Sequence, residues 1–239
     1  MSPSGSPRPA TAIILAGGRG TRLGALTDHT PKPLVEVSGR PFIFHVLDYL
    51  ARQGVRRVVL ATGYLGHVFE QVVGACYDGI EVRYSREDQP LGTGGAIVRA
   101  FRSIDDPAAY VLNGDTYFPV DLAALAAAHT TASANLTMVL RQVPDVSRFG
   151  HVTCAGHHVQ RMHEKGSAGP GAINGGLYLI QRAALLRDAP GESFSLERDL
   201  LPGWIAQGVV AAMPSEAYMI DIGVPADLER AQHDLSRHP

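Results

Sequence analysis

The sequence predicts an α/β fold in which a mixed, mainly parallel sheet is sandwiched between helices. Three observations predict it. Short apolar runs alternate with stretches of helical periodicity through the first half, glycine clusters close several of those runs, and after about Ala134 strand follows strand. At 239 residues the chain is long enough for one sizeable core. A single unit is expected from Thr11 onward, behind a Pro/Ser/Gly-rich tail over residues 1–10.

Thr11 to Ala16 (TAIILA) is a short uninterrupted apolar run, the pattern of a strand buried on both faces of a parallel sheet. Phe42, Val46, Leu47 and Leu50 recur at helical spacing, so 41–53 reads as a helix, and the β-branched run 55–62 as the next strand. A helix at about 67–74, a strand at 80–84, a helix at 94–101 and a strand at 110–113 continue the alternation, which implies right-handed crossovers. Beyond Ala134, LTMVLRQV, HHVQRMHE and INGGLYLI are strands parted by Gly- and Pro-containing turns, so this half is expected to be more antiparallel. A helix at about 196–207, a strand at 209–213, a short strand ending at Ile220-Asp221 and a helix from Pro225 to about Leu235 complete the chain. Ligands are expected at the carboxyl ends of the strands, with a nucleotide-handling half over about 11–133 and a substrate-shaping half over about 134–239.

Charged residues make up 18% of the chain and its formal net charge is −2, so neither a nucleic-acid-binding surface nor a polybasic membrane patch is expected. No signal-peptide core or bilayer-length apolar stretch is present, and the expectation is a cytoplasmic protein. Cys76 and Cys154 lack CxxC spacing and read as two buried structural thiols. Ten histidines do not make a zinc site, because His157, His158 and His163 fall on one strand without ligand spacing.

Directly after the first strand comes Ala16-Gly17-Gly18-Arg19-Gly20-Thr21-Arg22, with Lys32 between Pro31 and Pro33 soon after. Glycines let backbone N–H groups approach a polyphosphate, neighbouring cations neutralise it, and flanking prolines give the lysine a defined direction. The spacing matches neither a dinucleotide fingerprint nor a Walker loop. LAGGRGTRL followed by PKPLVEVSGRP resembles the signature of the nucleoside-diphosphate-sugar pyrophosphorylases, the sugar-1-phosphate nucleotidyltransferases, over nearly the whole chain from Thr11. The resemblance implies a Rossmann-like αβα sandwich of the nucleotide-diphospho-sugar transferase type. It places Ala16, Gly17, Gly18, Gly20, Thr21 and Arg22 on the triphosphate, and Arg22 and Lys32 on the charge that develops during transfer.

Further motifs carry further expectations. The turn before PLGTGGA opens into a helix whose free N–H groups suit a flat base, and the resemblance points to Gln89, Gly92 and Thr93. It likewise assigns Gly150, Glu164, Lys165, Asn174 and Gly175 to the sugar phosphate, although Gly166 stands where the family has proline after its EK pair. Asp115 in VLNGD and Asp221 in YMIDIG each follow an apolar strand, and two such carboxylates fit one Mg²⁺. Both match the family's metal-binding aspartates, which makes Arg22, Lys32 and Asp115 the catalytic set. Among compact members, PLGTGGAI, LNGDTYF, FSLERDLLP and YMIDIGVPADLERA look most like the heptose-1-phosphate guanylyltransferases. That implies GTP and D-glycero-α-D-manno-heptose 1-phosphate as substrates, a role in surface-polysaccharide precursor synthesis, and a homodimer as an admissible assembly. Mannose-1-phosphate guanylyltransferase, glucose-1-phosphate thymidylyltransferase and N-acetylmuramate-1-phosphate uridylyltransferase are the neighbouring activities. A silent sugar-nucleotide sensor is the rival outside enzymology, disfavoured by the intact Lys32, Asp115 and Asp221; a dehydrogenase is disfavoured by the failed fingerprint.

Overall fold

The computed structural model describes residues 8–18, 20–163 and 166–236. β1 (Thr11–Ala16) runs into a 3-10 segment, Thr21–Thr27, and a 3-10 turn, Lys32–Leu34. The ribbon β2 (Glu36–Val37) and β3 (Arg40–Pro41) leads into α1 (Phe42–Arg52), followed by β4 (Arg57–Thr62), α2 (Gly66–Val73), β5 (Cys76–Tyr77) and β6 (Ile80–Arg86). Next come α3 (Gly92–Phe101), β7 (Ala108–Asn113), β8 (Thr116–Tyr117), α4 (Leu122–Ala132), β9 (Leu136–Val143), β10 (Val152–Ala155), β11 (His158–Met162) and β12 (Gly171–Gln181). The chain closes with α5 (Arg182–Asp188), a π turn (Leu196–Leu200), α6 (Leu201–Ala206), β13 (Val210–Ser215), β14 (Ile220–Asp221) and α7 (Pro225–Asp234).

Ten strands form one sheet in the order β10-β11-β13-β9-β12-β7-β1-β4-β6-β5. β7, β1, β4 and β6 are mutually parallel, whereas β12 runs antiparallel to both β7 and β9, and β13 is parallel to β9. The alternation of side chains along a strand explains the three layers. On β1, Ala12 and Ile14 enter a core shared with α1, α2 and α7, while Ile13 enters the opposite core with α3, α5 and α6. Uninterrupted apolar runs are therefore required on these strands, because both faces are covered. The carboxyl ends of β1, β4, β6 and β7 open on one edge, which is where the cleft lies.

Several elements depart from the sequence expectation. α4 lies where no element was expected: its alanine-rich run has little helical stripe, yet Asp121 caps it by accepting from the N–H groups of Ala123 and Ala124. α5, β10, the β2–β3 ribbon and β8 were also unexpected, being too short to show periodicity, whereas the short strand expected at Ile220-Asp221 is β14, which pairs with β8. The expected helix at 196–207 begins as a π turn. Cys76 and Cys154 are exposed rather than buried, because each sits on a strand at an end of the sheet order, β5 and β10. Among the described residues no helix is long and apolar enough to cross a membrane.

His129 ties α4 to the sheet. The Gln181 amide donates to its Nε2 at 3.0 Å, and its Nδ1–H donates to Thr137 Oγ1 at 2.8 Å, both inside the core. Burial lowers its pKa from 6.5 to about 4. The unfolded chain then binds a proton that the folded one refuses, so this contribution is intact above about pH 6.5 and fades as pH falls towards 4, by about 3 kcal/mol at the low end. Urea unfolding at pH 7.5 and 4.5 should show a steeper loss of stability for the native protein than for His129→Gln; equal losses would contradict the assignment.

Candidate active site

The first wall is the glycine loop. Gly17 and Gly18 leave β1 with little side-chain bulk, and Gly17 lies close to the Gly63 backbone and the Glu87 carboxylate. Gly20 adopts φ 65°, and a Cβ there would come within 3.0 Å of Thr27 Cγ2, so both conformation and space demand glycine. Thr27 locks the turn by donating its hydroxyl to the carbonyls of Gly20 and Gly24, each at 3.1 Å. Ala16, Gly17, Gly18, Gly20 and the Arg22 side chain all line one cleft of about 500 Å³. Arg19 and the Thr21 side chain lie outside the described residues.

The floor of the cleft is a charge cluster. Lys32 sits in its 3-10 turn with 6% of its surface exposed, and its Nζ donates to Asp115 Oδ2 at 2.5 Å and lies 3.6 Å from Asp221 Oδ1. A small ribbon brings the two aspartates together: β8 and β14 pair Thr116 with Asp221, and the Ile222 N–H donates to the Asp115 carbonyl at 2.9 Å. Asp221 Oδ1 also accepts from the Gly223 N–H at 2.6 Å. Burial raises the Asp221 carboxyl and the Asp115 charge adds to it, while Lys32, the Gly223 N–H and Arg22 oppose them. Two carboxylates crowded around one ammonium form a site starved of positive charge. Gly223 packs against this cluster, for a Cβ there would stand 2.7 Å from Asp221 Oδ1 and 2.9 Å from Lys32 Nζ. Among the described residues no group of three or more His, Cys, Asp or Glu gathers as a metal site, so an ion held here would take its remaining ligands from substrate and water.

The opposite wall comes from the end of β6 and the start of α3. Glu87 follows β6 directly, accepts from the Leu91 N–H at 3.0 Å, and is half-buried on the cleft, which raises its carboxyl above the usual range. Sequence reasoning missed it, though the rule that singled out Asp115, a carboxylate at a strand's carboxyl end, would have found it. Gln89 is exposed and does not line the cleft, whereas Pro90, Gly92 and Thr93 do. The glycines here have a packing reason that the sequence could not show. Gly92 has φ 70° and faces the Phe194 carbonyl, which accepts from the Gly94 N–H at 3.0 Å, and the Phe194 ring lies where a Gly94 side chain would be. The Thr93 hydroxyl is already engaged, donating to Glu197 Oε2 at 2.7 Å and accepting from the Leu196 N–H at 2.9 Å.

On the sugar side the expected residues are spread out. Asn174 lies where the register of β12 on β9 shifts; its Nδ2 donates to Tyr178 Oη at 2.5 Å and its Oδ1 accepts from the Gly176 N–H at 3.0 Å. Gly175 packs on the Phe118 ring. Neither lines the main cleft, and nor does Gly150; the side chain that reaches it from this side is Asn113, against which Gly176 packs. A second recess of about 230 Å³ opens beside the charge cluster, lined by Arg148, Phe149 and Asp227 together with Arg22, Asp221 and Gly223. Gly150 thus follows two residues that border the cluster. Glu164 and Lys165 lie outside the described residues.

A glycine loop, a lysine between two aspartates and a carboxylate-edged wall meet at the carboxyl ends of parallel strands, where α/β sheets bind their ligands. The chain is 39% identical to a D-glycero-alpha-D-manno-heptose 1-phosphate guanylyltransferase of Aneurinibacillus thermoaerophilus, over 95% of this chain and 99% of the relative. It is 37% identical to the protein of the same description in Campylobacter jejuni, over 90% of this chain and 96% of the relative. HddC from Yersinia pseudotuberculosis, complexed with GMP-PN, superposes with a TM-score of 0.83 at 36% identity, covering 94% of this chain and 99% of that one. Residues 11–238 match the family described as Nucleotidyl transferase, and the chain belongs to that family.

Proposed function

We propose that this enzyme transfers a guanylyl group from GTP to D-glycero-α-D-manno-heptose 1-phosphate, giving GDP-heptose and pyrophosphate. The observation that carries the reading is the Lys32–Asp115–Asp221 cluster beside the glycine loop, in a chain of the same extent as the two heptose-phosphate guanylyltransferases it resembles. A sugar-phosphate oxygen attacks the α-phosphorus; the new P–O bond forms as the bond to the β-phosphate oxygen breaks, and pyrophosphate leaves. The nucleophile is already anionic, so the protein supplies position and charge rather than a base. Arg22 and the loop N–H groups bind the triphosphate, and the Lys32 ammonium stabilises charge on the transferring phosphate. The donor set of Asp115 and Asp221 fits Mg²⁺, and these two carboxylates would hold it. Bound there, the ion would neutralise charge on the reacting phosphates.

Glu87 supports guanine as the base. A carboxylate accepts hydrogen bonds, and guanine presents adjacent N1–H and N2–H donors, whereas uracil and thymine flank their single donor with two carbonyls. Pyrophosphate release with Mg²⁺, measured for GTP, dTTP, UTP, CTP and ATP against heptose, mannose, glucose and N-acetylmuramate 1-phosphates, tests the reading. The maximum is expected at GTP with the heptose phosphate. A maximum elsewhere would keep the chemistry and move the substrate; silence throughout would favour the sensor.

A further inference from the structure

Glu197 falls in the FSLERDLLP run but has no assigned role in the proposed chemistry, and it stands between Thr93 and Tyr178. It lies in the π turn Leu196–Leu200, which leads directly into α6. Its Oε2 accepts from Thr93 Oγ1 at 2.7 Å and Ser195 Oγ at 3.1 Å, and its Oε1 from Tyr178 Oη at 3.3 Å.

The directions of these hydrogen bonds follow from backbone donors and from a carboxylate that can only accept. The Gly176 N–H occupies Asn174 Oδ1, so Asn174 must offer its Nδ2 to Tyr178 Oη, and Tyr178 must send its own hydrogen onward to Glu197. Tyr178 is buried, and burial holds its phenol well above its ordinary pKa, so that hydrogen stays in place. From the other side the Leu196 N–H occupies Thr93 Oγ1, and the Arg198 N–H contacts Ser195 Oγ, so both hydroxyls also point their hydrogens at Glu197. Donors converge on both carboxyl oxygens. Only a group that accepts at both ends satisfies them; the nitrogen end of an amide of the same shape would leave the hydroxyl hydrogens there without an acceptor.

We propose that Glu197 is a positioning residue that ties the base-side segment at Thr93 to the sugar-side strand at Asn174, holding the two substrate subsites in register. The proposal rests on the functional reading above and on the family resemblance, which assigns the base to Gly92–Thr93, both on the cleft wall, and the sugar phosphate to Asn174–Gly175. Glu197→Gln should weaken both subsites at once, raising KM for the triphosphate and for the sugar phosphate about tenfold each, the loss expected for a hydrogen bond to a charged group, with kcat changed less. Tyr178→Phe cuts only the sugar-side arm, so it should raise KM for the sugar phosphate and leave that for the triphosphate unchanged.

Kinetics of both variants, on the substrate pair that the native enzyme turns over best, with melting temperatures and calorimetric titration of GTP alone, make the test. A purely structural role would lower kcat through a smaller folded fraction and leave both KM values unmoved; that result, or native kinetics in Glu197→Gln, would overturn the proposal. If Glu197→Gln does not fold, the Tyr178→Phe pattern decides, and equal shifts in both KM values there would overturn it. If the native enzyme proves silent, the functional reading has failed, and calorimetry still decides on Glu197: GTP binding weakened by Glu197→Gln but not by Tyr178→Phe supports the tie, and any other pattern refutes it.

Discussion

Asp115→Asn is expected to lower kcat by about three orders of magnitude, the scale seen when charge stabilisation of a transition state is removed, while the protein melts within a few degrees of the native temperature. The fold should survive for two reasons. The main chain at Asp115 keeps its bond from the Ile222 N–H, so the β8–β14 ribbon stays in place. Lys32 also keeps Asp221 at 3.6 Å, so the ammonium is not left without a counter-charge. Single-turnover pyrophosphate release and a thermal melt measure the two halves of the expectation. Turnover near the native rate would remove Asp115 from the chemistry altogether.

Lys32→Met is expected to damage both activity and stability. Turnover should fall at least about a hundredfold, because the ammonium that the proposed mechanism sets on the transferring phosphate is lost. The remaining carboxylates of Asp115 and Asp221 then face each other across a partly dry floor. Removing one partner of a fully buried pair costs about 3–5 kcal/mol, but these two side chains are 28% and 31% exposed, so water relieves part of it and about 2 kcal/mol is expected. Adding Asp115→Asn to Lys32→Met should restore most of that stability without restoring turnover. Urea unfolding and kcat on the single and double variants measure this; a double variant no more stable than Lys32→Met would show that carboxylate repulsion is not the cause.

The parts of this fold that could be read in advance are those whose environment leaves a local mark. β1, β4 and β7 are covered on both faces, and the continuous apolar runs TAIILA, VVLAT and AYVLN follow from that. α4 left no such mark, since a helix of alanines packs without a clear stripe, and β8 is two residues long. The cysteines misled because average burial says nothing about a strand at the end of a sheet. At the cleft, the glycine loop, Lys32, Asp115 and Asp221 were singled out by residue type and near neighbours, and the structure brings them together.

What the sequence by itself determined was therefore the set of chemical parts: loop glycines with φ the other residues resist, a lysine held between prolines, and carboxylates at strand ends. Which parts meet was decided only by the tertiary structure. Asp115 and Asp221 converge through a ladder between segments far apart in the chain, Glu87 rather than Gln89 faces the cleft, and Gly92 and Gly94 are glycines because the Phe194 segment packs on them. The physical reason is common to all three. Local patterns report whether a side chain is buried, whereas its contacts depend on backbone pairing and packing between distant segments, which no short window of sequence contains.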